Sequence, residues 1–579
     1  MFDNNDSSKN LFIALFLFMG FMLGYQYLFE GKKSEEESHS VETVSNQQQQ
    51  NIVPVPFQKQ VISVDEAISR PSRLNLENDK LKASIDRQGC VIDSIILKQY
   101  KQNVKEKSHN VDIFCPKNTD NEYYYMISYI DQTSSEGIDE EAVWDRLGPD
   151  NNNGGDDSSS DNNGRIVLRT QTKNGIVIER TIIIDNGYLF NINDKLINIS
   201  QKKITLTNSS DIFRKNPTIS NYAVVHEGLV GINHLSNDNV DEIKYKKING
   251  KTDIGESKWF GYTDIYWLVC HVNTATNVIS YSKENGDENY KISLYSRTPI
   301  SIEANSAINI DYKMFAGPKD MTILKNYNKD LSISKFEMAI DFGWFFILTK
   351  PLLYLLDQMS KWFTNMGIVI LLLTLMFKLL TYPLTKKSMY SVARMKQIQP
   401  KVANIQKIYA NDKQRMNMEI MSLYKKEKIS PMSGCLPMLL QAPVFFCLYK
   451  VFFISIEMRH APLFGWIRDL SSADPLYITN FFGIIDWIPP KFLQIGVWPL
   501  IMGITMLLQQ KISSSNGKNN TAQKTPETKL QENMMYILPI MFTYVCASFP
   551  VGVVVYWTIS NLFGIFQQQY INRSLGKKV

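Results

Sequence analysis

Apolar residues are spread unevenly along this chain of 579 residues. One apolar block lies near the N-terminus and several more follow Phe342, while the long stretch between them is polar with charges scattered throughout. Residues 11–29 carry no charge and only one strongly polar side chain, Gln26. As a helix this run is long enough to cross a hydrocarbon core of roughly 30 Å. A cleaved signal peptide is the rival reading. The run is longer than a usual h-region, however, and no A-x-A site precedes Lys32 and Lys33, so residues 1–30 are predicted to be an uncleaved membrane anchor. Residues 31–56, with Glu35-Glu36-Glu37, Gln47 to Gln50 and Pro54, are predicted to be a disordered linker.

From about 57 to 340 the pattern is that of β-structure. Ile166-Val167-Leu168, Ile176-Val177-Ile178 and Ile182-Ile183-Ile184 are β-branched runs, punctuated by Asn174-Gly175 and Asn186-Gly187. Asn-Gly between such runs is a strong hairpin signal, and similar turns surround Gly89 and Gly286. Residues 149–164, rich in Asn, Asp, Gly and Ser, read as a low-complexity loop inserted into a large antiparallel β-sandwich.

Beyond Phe342 the character changes again. Residues 341–364 are apolar but interrupted by Lys350-Pro351, Asp357 and Lys361, which suits an amphipathic helix lying in the membrane interface. A helical membrane core is predicted over 365–579, with spans at Gly367–Leu384, Cys435–Ile456, 494–510, Met534–Phe549 and Gly552–Tyr570. Together with the anchor these make six spans. The intervening loop 385–434 holds eleven Lys/Arg against three acids, so it is assigned to the cytoplasm by the excess of positive charge. The β-domain then falls on the periplasmic side and both termini fall in the cytoplasm. Lys32 and Lys33 beside the first span argue the other way, but two charges are outweighed by eleven.

Composition adds mainly exclusions. Mean hydropathy of −0.19, a net charge of +5 and a pI of about 8.5 are too mild to point to nucleic-acid binding. The six cysteines have no CxxC spacing and three fall in the polar region, which disfavours a disulfide framework. Histidines are isolated, Gly250-Lys251-Thr252 lacks the upstream glycine of a phosphate loop, and Ser332 to Lys335 matches S-x-x-K with no K-T-G after it. An enzyme is therefore not expected, and no cofactor, metal or small-molecule substrate is implied.

The side chain that stands out is Lys378, inside the Gly367–Leu384 span. A charge at the bilayer centre costs about 2.5–3.5 kcal/mol on insertion scales and is usually retained for a reason. Thr374 and Thr381 lie on the same helical face, and Gln441, Thr505, Gln509, Ser560 and Asn561 on other spans are candidates to face it. These residues would line a hydrated groove open to the cytoplasm. The plainer alternative is that Lys378 snorkels, being six residues, or about 9 Å, from the end of its run. Lys450 fits snorkelling better. In the cytoplasmic loop, Val392, Met395, Val402, Ile405 and Tyr409, and then Met416, Ile420 and Leu423, recur at helical spacing around a turn at Asn411-Asp412. This predicts a basic αα-hairpin. Its methionines, Met395, Met416 and Met421 among them, suit either varied apolar partners or the hairpin's own seam. Its basic faces suit phospholipid headgroups or ribosomal RNA.

Particular stretches resemble a known family. Phe377 to Thr385 is similar to the second span of the YidC insertases, and Pro431 to Pro437 with Gln441-Ala442-Pro443 is similar to the start of their third. Glu457 to Pro462, Phe549-Pro550, Gly552, Tyr556, Ser560, Asn561 and Gln567 to Gln569 fit as well. The anchor and β-domain resemble, by arrangement, the long Gram-negative form of the YidC/Oxa/Alb family. The resemblance implies a polytopic α-helical inner-membrane protein with a five-helix core, a hydrophilic groove and a periplasmic β-supersandwich. It further implies an insertase and chaperone for nascent membrane proteins, working alone or with the Sec translocon and often on ribosome-delivered chains. Two departures stand out: the family's groove charge is usually arginine, where this chain has Lys378, and residues 477–494 are longer than the usual connection. A transporter or channel is the alternative class, which would call for several intramembrane charges and repeated halves.

Overall fold

The computed structural model describes residues 61–105, 107–132, 142–147, 164–220, 225–233, 239–273, 277–284, 288–427, 436–485, 487, 489–490, 493–515 and 526–576. The anchor and linker predicted over 1–56, nearly all of the 149–164 loop, Gly286, and Pro431 to Cys435 lie outside the described residues. Two compact units divide in sequence between Asp341 and Phe342.

The first unit is a β-sandwich with eighteen strands among the described residues, every pairing antiparallel. One sheet runs Arg73–Glu77, Leu81–Asp86, Val91–Lys101, Tyr123–Asp131, Ile204–Lys215, Asn289–Ser296 and Asn277–Lys283. The other runs Arg165–Gln171, Ile176–Ile184, Leu189–Asn198, Ala307–Pro318 and Trp267–Val272. Strand Lys251–Thr263 serves both: its first half pairs with Asn277–Lys283 and its second with Trp267–Val272 and Gly228–Asn233. The change of partner follows a register shift between Asp253 and Gly255, and Gly255 has φ +86°, the conformation a glycine bulge requires.

The hairpins predicted at Gly89, Gly175 and Gly187 are present. Asn174-Gly175 turns between its two strands with Gly175 at φ +84°. At the next turn the Asp185 carboxylate accepts from the amides of Gly187 (2.8 Å) and Leu189 (3.0 Å), the local closure typical of Asx turns. A short helix, α1 (Val64–Ile68), is capped by Ser63, and α2 (Met321–Leu331) is capped by Asp320, whose carboxylate accepts from Ile323 at 2.8 Å.

Between the sheets lies a polar network that the β-pattern does not announce. Arg180 and Asp194, 1% and 0% exposed, form a two-point ion pair at 2.8 and 2.7 Å. Tyr129 donates to the same carboxylate at 2.8 Å, and the Trp144 ring lies 4.7 Å from the guanidinium.

His271, on strand Trp267–Val272, is fully enclosed beside Tyr125. Burial pushes its pKa down to about 4, against the pull of Asp211. An unfolded histidine titrates near about 6.5, so between these values the unfolded chain binds more protons than the folded one. Its stabilising contribution is thus complete above pH of about 6.5 and is lost as pH falls towards about 4, a change of about 3 kcal/mol. We expect thermal unfolding of the full chain to show a β-unit midpoint that drops across this window. In His271→Phe that part of the drop should vanish; a variant profile parallel to wild type would refute the assignment.

The second unit is helical. Helix α3 (Phe346–Trp362) covers most of the segment predicted to lie in the interface, with Pro351 inside it and Asp357 buried and paired to Lys361 at 3.0 Å. Helix α4 (Met366–Ile408) runs 43 residues. The span expected to stop at Leu384 and the first arm of the hairpin are therefore one continuous helix of about 65 Å. Pro383 does not end it, because proline already has the helical φ and removes a single backbone donor. Around it the Thr381 and Thr385 hydroxyls donate to the carbonyls of Phe377 (2.8 Å) and Thr381 (3.0 Å). The second arm, α5 (Lys413–Lys426), begins at Asp412, whose carboxylate caps Arg415 at 3.0 Å, at the predicted turn. Lys401 ties the arms through Glu427 at 2.8 Å.

Among the described residues four further helices follow: α6 (Leu436–Ile454), α7 (Val497–Ser515), α8 (Pro526–Cys546) and α9 (Val551–Gly576). Each coincides with a predicted span, although α8 starts eight residues earlier than Met534. Among the described residues, Met366–Val392 is the one helical segment both long and apolar enough to cross a membrane, with a mean hydropathy of 2.0. Helix α9 packs on α7 and α4, α7 on α8, and α3 on α6. Buried Met502, Cys546 and Val554 join Trp498, Phe542 and Trp557 where α7, α8 and α9 meet. Aromatic rings extend this core to α6, with Phe445 4.7 Å from Trp557 and Tyr449 4.9 Å from Phe549. Lys450 corrects an expectation. It is 8% exposed, with its stem against Gly343, so it is enclosed by its own chain rather than reaching outward.

Candidate functional site

Helices α4, α6, α7 and α9 enclose a cavity of about 90 Å³. Helix α4 contributes Phe377, Thr381, Thr385 and Met389, four residues apart on one face, with Lys378 beside Phe377. Helix α6 contributes Gln441 and Val444, α7 contributes Gln509, and α9 contributes Tyr556, Gly564 and Gln567. The lining thus brings one ammonium, three carboxamides and three hydroxyls into an otherwise apolar helical unit, and it includes no acid. Gln441 donates to the Tyr556 hydroxyl at 2.8 Å, which locks α6 to α9 across the cavity. Lys378 is partly enclosed and faces amides and hydroxyls rather than a counter-ion.

Of the residues predicted to form the groove, Lys378, Thr381, Gln441 and Gln509 converge there. Thr374, Ser560 and Asn561 do not line it. Thr374 shares the face of Lys378 but lies one turn deeper, where the helices have closed. It is fully buried, and its hydroxyl donates to the Ile370 carbonyl at 2.6 Å. Asn561 donates to the Thr505 hydroxyl at 3.1 Å, which makes both residues a polar contact between α9 and α7. Ser560 is buried and bonded to Tyr556 one turn away. Phe377, Val444, Gly564, Thr385, Met389, Tyr556 and Gln567 complete the lining without having been singled out for it. The spacing 556, 564, 567 on one helical face, with a glycine in the middle, is the signal that would have found the last two.

Gly564 has a steric role. A Cβ there would stand 2.7 Å from the Gln509 amide nitrogen, the free end of a flexible side chain. Gly564→Ala is therefore expected to be tolerated. Gly564→Phe should fill the cavity at an overpacking cost of about 1–3 kcal/mol. Thermal unfolding of the full chain would check this, with Gly564→Ala close to wild type and Gly564→Phe clearly lower.

On the hairpin, Met395 and Met416 are half-buried, whereas Met418, Met421 and Ile408 are exposed. The exposed group is the part available to another molecule.

Comparison with known proteins agrees across both units. A family model described as "60Kd inner membrane protein" matches residues 358–578, and one described as "YidC periplasmic domain" matches residues 73–355. "Membrane protein insertase YidC" of Rickettsia prowazekii (strain Madrid E) is 36% identical, over 98% of this chain and 100% of that protein. The protein of the same name from Rickettsia africae (strain ESF-5) is 35% identical over the same shares. Among solved structures, an active YidC insertase with its first transmembrane domain resolved aligns over 86% of this chain and 92% of that chain, at 15% identity and a TM-score of 0.34. Matched by both family models in order and aligned with these relatives from end to end, the chain belongs to the YidC family of membrane protein insertases.

Proposed function

We propose that the protein, an insertase of the bacterial inner membrane with a periplasmic β-domain, receives the polar flank of a nascent membrane protein in the Lys378 cavity and releases the client's apolar helix sideways into lipid. The observation that carries this is the cavity itself: a single positive charge, surrounded by amides and hydroxyls from four helices, inside an apolar helical unit. Such a half-path is wet and positively biased, so it shortens the apolar barrier that a polar segment must cross. Hydrophobic transfer of the client's own helix drives the step, and no nucleotide is required.

In this reading the chain spans the membrane six times, with both termini and the α4–α5 hairpin in the cytoplasm, where the cavity opens. The helix Phe346–Trp362 rests in the interface. The eleven basic residues of the hairpin segment favour anionic lipid headgroups and a docked ribosome, and clients arrive either directly or beside the Sec translocon. The test is complementation. A Gram-negative host depleted of its own insertase is supplied with this chain, and protease protection of a small Sec-independent membrane protein is scored with growth. Restored protection supports the reading. A chain that assembles in the membrane yet restores nothing returns the transporter or channel class.

A further inference from the structure

Between α6 and α7 the chain makes an excursion that the cavity does not use. Its neck is closed by pairing of Tyr477 with Gly496, by Ile478 donating to the Ile495 carbonyl at 3.1 Å, and by the Thr479 hydroxyl donating to Leu493 at 3.0 Å. Above the neck, Phe481 is 62% exposed, Phe482 51%, Ile484 83%, Ile485 48% and Trp487 47%. Residues 477–490 contain no basic side chain and a single acid, Asp486. In water, so dense an apolar surface would be costly.

The backbone tells the same story. A loop in water leaves many of its amides to solvent. Here each described amide from Phe481 to Trp487 donates within the loop: Phe481 to Ile478 (3.0 Å), Phe482 to Tyr477 (3.0 Å), Gly483 to Asn480 (3.2 Å), Ile484 to Phe481 (3.3 Å), Ile485 to Asn480 (3.2 Å) and Trp487 to Ile485 (2.8 Å). The Asn480 side chain adds a bond from its amide to the Trp487 carbonyl, and Pro489 and Pro490 have no N–H to satisfy. Phe481, Phe482 and Gly483 all take the left-handed conformation, at φ +51°, +60° and +83°. That conformation is unfavourable for phenylalanine and is held here by these bonds, with both rings turned outward. Amides bonded within the loop lower the cost of bringing non-helical backbone to the shallow edge of the hydrocarbon, where carbonyls still reach the headgroup region, and tryptophan is favoured at that boundary.

We propose that residues 481–485, with Trp487, form a shallow lipid anchor seated at the boundary of headgroups and acyl chains at that end of the helices. Lipid is favoured over a protein partner by continuity, because the neck leads directly into α7, whose outward Ile504 and Leu508 are also exposed. Helices α6 and α7 carry Gln441 and Gln509, so a loop that holds their far ends at a set depth also sets the depth of the cavity. This inference rests on the membrane-spanning reading of the helical unit.

The full chain is reconstituted into vesicles of phosphatidylethanolamine and phosphatidylglycerol with photoreactive benzoylphenylalanine replacing Ile484 or, separately, Phe482. Ile504 on α7 and Lys203 in the β-unit are replaced as references. Phospholipid adducts at 484, 482 and 504, roughly fivefold or more above those at 203, are the expected result. Adducts at 504 but not at 482 or 484 overturn the anchor alone. Adducts at 484 to a second protein chain overturn it in favour of a protein partner. Their absence at 504 as well overturns the membrane reading beneath it.

Discussion

Reversing the charge at position 378 is expected to abolish insertion of a client with an acidic flank, while Lys378→Arg preserves it. The cavity lining supplies amides and hydroxyls but no second charge, so Lys378 alone sets the sign of its potential. Two unit charges about 4 Å apart interact by about 4 kcal/mol at the effective dielectric of a partly hydrated protein site. Exchanging attraction for repulsion is thus worth several kcal/mol to an acidic segment, a loss of roughly a hundredfold or more in its passage. Lys378→Ala removes the attraction without adding repulsion and should fall between. A client with an uncharged flank should respond weakly to all three changes. Arginine keeps the charge under nearly any burial, which is why it should replace lysine here. The measurement is protease protection of paired clients that differ only in flank charge, in the depleted host described above. Equal insertion by all variants would make Lys378 a snorkelling lysine, with the family assignment untouched.

Asp194→Asn should strongly destabilise the β-unit. The exchange leaves the Arg180 guanidinium enclosed between the sheets with no opposite charge, beneath Trp144 and beside Tyr129. Breaking a buried pair from one side costs about 3–5 kcal/mol, because the survivor keeps its desolvation penalty and loses its partner. For a unit of this size that lowers the midpoint of thermal unfolding by about 10 °C. Removing both charges, as in Arg180→Met with Asp194→Leu, should recover most of the loss, since apolar side chains of similar volume fill the space without an unpaired charge. Thermal unfolding of the full chain, followed through the sheet signal, separates the cases. A single variant that unfolds with wild type would show that the carboxylate contributes little beyond shape.

Much of this molecule was legible in the linear order of its residues. Period-two β-branched runs with Asn174-Gly175 and Asn186-Gly187 between them specify antiparallel hairpins, because side-chain alternation and turn chemistry act over a few residues. Apolar blocks locate the helices for the same reason, and Lys378 is conspicuous because a charge in such a block is expensive. Asp412 marked the hairpin turn because a cap needs only its next three residues.

What sequence order left open is everything that depends on where elements cross. Thr374 and Thr381 are equivalent by spacing, yet one is sealed in the helix contact and the other faces the cavity, since the gap between packed helices closes within a single turn. Asn561 met Thr505 instead of the cavity, Tyr556 and Gln567 reached it, and Lys450 was enclosed by distant residues. The pairing of Arg180 with Asp194, and the passage of one helix through Pro383, are of the same kind. Local patterning determines which face of an element is apolar or polar. Which polar faces meet, and which of them stay open, is decided by close packing between segments far apart in the chain, and that only the tertiary structure supplies.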